Sequence, residues 1–217
     1  MKRLRLSVPV LVAALVLLPL AAHAEPSAFD QATQLELDGM DLMQKGDLDG
    51  AITKYRQAVQ IYPKSKAFRQ NLAEALNNAG VAKYQAKDYP AAISDFQEAL
   101  ANVPNFAQAK TNLALAQGDQ FNAEGLVLFK AGDFAGAVQK FNEALVAEPG
   151  YKNAIVNRDA AEAEIALKNG DLATAVAKLQ EAVSIASTPF LQNKLETAQA
   201  ALAAQQEAAQ KAQQKTK

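Results

Sequence analysis

The side chains best suited to attack, ligate or carry protons are scarce in this chain. It has no cysteine, no tryptophan and a single histidine, His23, which lies in an N-terminal segment read below as a cleaved leader. Beyond that segment neither a thiol nor a Ser-His-Asp nucleophile can be assembled, and zinc, copper and haem find no imidazole or thiolate ligand. Carboxylate pairs and hard-metal sites remain open as chemistry. Neither an Asp-rich calcium loop nor a phosphate-cradling glycine loop is visible, however. The sequence therefore implies no cofactor, no metal and no enzyme. One polar group does recur at fixed spacing: Asn71, Asn112 and Asn157 each stand eight residues after a proline, Pro63, Pro104 and Pro149.

The elements that must position these amides repeat as well. Gly46-Asp47-Leu48, Lys87-Asp88-Tyr89, Gly132-Asp133-Phe134 and Gly170-Asp171-Leu172 are four versions of one turn. Eight residues after each aspartate comes an aromatic or leucine (Tyr55, Phe96, Phe141, Leu179), and three further on an alanine (Ala58, Ala99, Ala144, Ala182). Apolar spacings of three and four mark an amphipathic helix, the aspartate is a good N-cap, and the proline ends it. A second helix runs from each asparagine to the next turn and carries a small residue, Gly39, Gly80, Gly125 or Ala163, eight positions before the aspartate.

This two-helix unit resembles the tetratricopeptide repeat over roughly residues 31–187. The resemblance implies an all-α fold, a right-handed α-solenoid of about four helix pairs. It weakens in the fourth copy, where Ser187 stands in place of the closing proline and Pro189 arrives late. It also departs in length, because such units normally repeat every 34 residues and the turn aspartates here are 41, 45 and 38 apart. The extra 7, 11 and 4 residues all fall inside the first helix of units two to four. At about 100° per residue they rotate the helix face by only about −20°, +20° and +40° from whole turns. A loop insertion need not obey that restriction, whereas a lengthened helix must. The first helices are accordingly expected to be continuous and elongated, with one from about Ser65 to Ala86 measuring about 33 Å against about 21 Å for its partner. Gly118-Asp119 is the one place where the third long helix could break.

The ends differ from the middle. Lys2, Arg3 and Arg5 precede an apolar run and then Ala22-His23-Ala24, the pattern of a secretory signal peptide cleaved near Ala24. The run is too short for a membrane anchor. Removal of residues 1–24 leaves 19 basic against 23 acidic residues, which argues against nucleic acid as a partner. Localisation is then periplasmic, or secreted, with no integral span in the mature chain. Ser27 with Asp30 marks a helix start. The solenoid is assigned to residues 25–202, including a C-terminal capping helix that opens at Phe190-Leu191. Residues 203–217, nearly all Ala, Gln, Glu and Lys, form a tail with helix propensity and little to bury.

The resemblance also locates a partner surface. In that family the first helices line the concave face, and asparagine at the position matched by Asn71, Asn112 and Asn157 can hold the backbone of an extended peptide, since an amide both donates and accepts. The same asparagines could instead bond the neighbouring helix. Met43, Tyr84 and Phe129, four residues before the turns, and Met40, Val81 and Leu126, one helical turn earlier, form an apolar stripe that is either groove floor or core. Family members that grip a terminal carboxylate do so with basic side chains on the first helices. Glu36, Met40, Asn71, Gln108 and Asn112 occupy the corresponding places here, so the implied ligand is a main chain or an apolar surface. The expected role is a non-catalytic scaffold or adaptor binding a protein or peptide of the cell envelope, with self-association possible. The alternative is a periplasmic carrier of a lipid or small hydrophobic molecule between the long helices.

Overall fold

A computed structural model describes residues 25–215. The segment read as a signal peptide, residues 1–24, and the last two residues lie outside it. The described residues form helices throughout: α1 (Ala28–Gln44), α2 (Leu48–Ile61), α3 (Lys66–Gln85), α4 (Tyr89–Asn102), α5 (Ala107–Lys130), α6 (Phe134–Ala147), α7 (Lys152–Lys168), α8 (Leu172–Ile185) and α9 (Pro189–Lys215). Each helix packs chiefly on its neighbours in sequence. That is the contact pattern of an α-solenoid of helix pairs, in which every repeat rests on the one before it.

The turns are built as the spacing predicts. Asp47, Asp88, Asp133 and Asp171 each cap a helix of 14 residues by accepting a backbone N–H three residues on. The residue before each aspartate is left-handed, with φ of 79° at Gly46, 62° at Lys87, 80° at Gly132 and 74° at Gly170. Only glycine takes this conformation without a Cβ penalty, and Lys87 breaks the series. Lys87→Gly should therefore raise stability by about 0.5–1 kcal/mol, read as a higher urea midpoint at unchanged m-value.

The first helix of each pair is long where insertion arithmetic requires it, with 17, 20, 24 and 17 residues in α1, α3, α5 and α7. α3 is capped by Ser65 at its start and by Ala86 at its end. α5 continues unbroken through Gly118-Asp119. A Cβ at Gly118 would meet Glu148 and the Tyr151 ring at 3.4–3.5 Å, ordinary van der Waals distances, so the continuous helix has room for an alanine there.

Within each of the first three pairs an aromatic ring presses against a glycine of the partner helix. A Cβ placed on Gly39, Gly80 or Gly125 would stand 2.5–2.6 Å from the ring of Tyr55, Phe96 or Phe141. The fourth pair solves the contact differently, with Ala163 and Leu179 buried together in one apolar cluster. α9 is a single helix of 27 residues that runs through the expected tail boundary without interruption. Leu202 is its last partly buried residue, and 203–215 are exposed.

Candidate functional site

The three predicted asparagines are arranged alike. Asn71 Nδ2 donates to Glu36 Oε1 at 2.6 Å, Asn112 Nδ2 to Asn77 Oδ1 at 2.8 Å, and Asn157 Nδ2 to Asn122 Oδ1 at 2.8 Å. In each case the partner lies 35 residues earlier, on the preceding long helix. Asn77 and Asn122 are only 8 % exposed, and a buried amide oxygen needs a donor. The amides are thus joints between long helices. Each uses one N–H there and retains a second N–H and its oxygen for other contacts.

The same 35-residue offset recurs along the first-helix face. Tyr84 of α3 donates to Asp119 Oδ2 of α5 at 2.5 Å across it. Ala160, Ala163 and Leu167 of α7 share one apolar cluster with Leu195, Ala198 and Leu202 of α9, again 35 apart. Opposite the end of α3 stands Gln120, so α5 runs past it by residues 121–130. By the same construction α3 passes α1 by 80–85, α7 passes α5 by 166–168, and α9 passes α7 by 204–215. At 1.5 Å per residue these steps are, in the same order, about 15, 9, 5 and 18 Å.

A carboxylate holds the step of α5 past α3. Asp119 accepts from the hydroxyls of both Tyr84 and Tyr151, joining the end of α3, the middle of α5 and the start of α7. The hydrogen bond to Asp119, reinforced by burial, pushes the Tyr84 phenol up to about 12. Burial, reinforced by the same carboxylate, raises Tyr151 as well. Each hydroxyl is held neutral because ionisation would set two anions side by side and remove the donor.

Beyond this clamp the long helices enclose a cleft of about 680 Å³. Leu126 and Phe129 at the end of α5, Val156 and Ala160 of α7, and Phe190 and Leu191 of α9 supply its apolar walls. Asn157 faces it, and Lys130, Glu164 and Lys194 stand at its edge. Lys194 pairs with Glu164 and lies 5.2 Å above the Phe190 ring. Lys168 sits 4.5 Å over Phe134, another lining residue. The arrangement can take up apolar groups and orient them through amide and ammonium donors. Among the described residues no cluster of His, Cys, Asp and Glu could hold a metal ion, and no helix is long and apolar enough to cross a membrane.

Family models described as tetratricopeptide repeat match residues 35–105 and 122–190, together well over half of the chain. The chain belongs to the tetratricopeptide-repeat family. Among solved structures it is similar to a TPR repeats protein from Bacteroides fragilis, at 15% identity over 78% of this chain and 98% of that one, with a TM-score of 0.50. The TPR2AB domain of yeast Sti1, solved in complex with pHSP90, is 18% identical over 79% and 84% of the two chains, with a TM-score of 0.32. A thermophilic TPR protein from Thermus thermophilus is 17% identical over 79% and 82%, with a TM-score of 0.29. At such identities the likeness concerns fold alone. A comparison with curated proteins finds no match.

Within this tetratricopeptide stack the predicted stripe divides. Met43 packs on the α1–α2–α3 core, and Val81 and Tyr84 pack beside Phe96. Leu126 and Phe129 reach both the core around Phe141 and the cleft. Met40 joins neither group and is 45 % exposed on α1. Of the asparagines, Asn157 enters the cleft, and Asn112 borders a shallow groove with Asn77 and Thr111. Sequence reasoning missed the α7 and α9 walls, although the 35-residue offset would have paired α7 with α9. Arg158 follows Asn157 where Asn71 and Asn112 are followed by Leu72 and Leu113. The Arg158 guanidinium bonds Asp159, whose side chain is buried and whose carboxyl is held above its usual range by that burial.

Proposed function

We propose that this protein is a non-catalytic scaffold or adaptor of the cell envelope that holds a peptide or partner protein on its first-helix face, anchored in the α5–α7–α9 cleft. Tetratricopeptide-repeat proteins generally act as protein–protein interaction scaffolds and are typically non-catalytic. The observation that carries the reading is the cleft itself, where bulky apolar walls converge with Asn157 and a lysine-bearing rim. Apolar anchors with a few oriented polar groups are what a peptide side chain and its main chain require. The envelope assignment rests on the leader-like residues 1–24.

A second reading has its own support. A cleft of about 680 Å³ is also of the size that takes a small molecule, so a lipid or hydrophobic metabolite would fit. A photo-crosslinking residue at Phe190, with one at the outward Val146 of α6 as control, separates the two. The scaffold reading expects a defined protein adduct in cells from position 190 alone. Equal labelling at both positions, together with a lipid retained in native mass spectrometry, would replace it with the carrier reading.

A further inference from the structure

The two ends of the stack are finished differently. On α9 the residues turned away from α7, such as Asn193, Glu196, Thr197 and Ala200, are exposed and carry no bulky apolar group. A polar outer face is what a terminal repeat needs for solubility. α1 lacks one. Leu37 and Met40 are 52 % and 45 % exposed, and with Thr33 they fall within an arc of about 60° on one side of the helix, beside Phe29, whose ring packs on Tyr62 and Phe68. At ten residues before the turn, where α1 has Leu37, the later units carry Asn78, Ala123 and Ala161. The large apolar residue is therefore peculiar to α1, the first of the described helices.

Charge is concentrated at the same end. Residues 25–50 hold seven acidic side chains, among them Asp30, Asp41 and Asp49, and one basic side chain, Lys45. The net charge there is −6, whereas residues 51–217 sum to +2. Few compensating groups touch α1: Lys45 pairs with Asp41, and Lys54 of α2 pairs with Asp38.

From this juxtaposition we propose that the outer face of α1 is a docking surface for a cationic amphipathic helix of a partner protein. An apolar stripe of this kind is read by a helix with bulky groups at spacings of three and four. The acidic surround attracts a basic flank and speeds encounter. It also selects against other occupants. A second copy meeting face to face would oppose two charges of −6, and an anionic membrane surface would repel the same residues.

The test uses two 18-residue helical peptides, one presenting leucines backed by lysines and the other leucines backed by glutamates, titrated into the purified full chain by calorimetry. The lysine peptide should bind with a Kd of about tens of micromolar and weaken about fivefold between 50 and 300 mM salt. Leu37→Asp and Met40→Asp, checked for native helicity by circular dichroism, should each weaken it about tenfold. Asp41→Lys should narrow the difference between the two peptides. Equal affinity for both peptides, or binding that survives Leu37→Asp, overturns the proposal. A dimer that Leu37→Asp converts to monomer overturns it in favour of a second copy. Binding that appears only after residues 1–24 are removed overturns it in favour of the chain's own leader. Loss of the cleft crosslink at Phe190 would leave this result untouched, because the two faces are at opposite ends of the stack.

Discussion

Gly125→Ala will destabilise the third helix pair by about 1–3 kcal/mol, lowering the thermal midpoint by several degrees. The new Cβ would stand 2.5 Å from Phe141 Cε1 and 2.7 Å from Cδ1. Phe141 is fully buried and packed against Ala137 and Ala161, so the ring has nowhere to retreat and the helices must separate. Phe141→Leu alone removes ring atoms from a tight core and should cost about 1 kcal/mol. Combined, the two substitutions recreate the Ala163–Leu179 pairing that the fourth unit already uses. The double variant should accordingly be more stable than the sum of the single changes predicts. A coupling energy of about 1 kcal/mol in a denaturant double-mutant cycle checks this, and strict additivity would show that the glycine is not held by the ring.

Asp119→Ala removes the one acceptor shared by two tyrosine hydroxyls. Hydrogen bonds to a charged group contribute about 1.5–3 kcal/mol each when buried, and with partial exposure the loss should total about 2–3 kcal/mol. Its pH signature separates it from a simple packing defect. Tyr84 is raised in the folded chain, so the clamp's stabilisation is fully present below the ordinary phenol pKa and is lost as pH rises through about 12. Absorbance near 295 nm should show Tyr84 and Tyr151 ionising last in the wild type. In Asp119→Ala their titration should move down, because the neighbouring anion and the acceptor are both gone. A titration curve identical to wild type would mean that the tyrosines are raised by burial alone.

The constant half of each unit could be read directly. The aspartate turns, the aromatic eight residues on and the closing prolines are local, and each has one cause. Helix lengthening was legible too, since insertions of 7, 11 and 4 residues keep a buried face buried only if they approximate whole turns. Pairwise geometry was harder to see. Asn112 looks equally suited to a ligand or a neighbouring helix until Asn77 is known to face it. The cleft escaped because Val156 and Ala160 look like ordinary core spacing, and because the late Pro189 shifts the frame by which Phe190 and Leu191 would be aligned with earlier units. Asp159 escaped for a different reason. A carboxylate at a core position is intelligible only once Arg158 is seen beside it.

The 35-residue joints have a consequence for how such a chain can change. Each joint spans an asparagine, the preceding turn and an acceptor eleven residues before that turn, and none of these intervals varies among the first three. All variation lies between one joint and the next, along a stretch of helix that neither joint touches. Helical turns can be gained or lost there while both connections keep their partners, much as a telescoping rod changes reach without new fittings at its ends. The spacing of the groove along the stack then becomes a quantity that small insertions tune in steps of about 5 Å, independently of the interactions that hold the stack together.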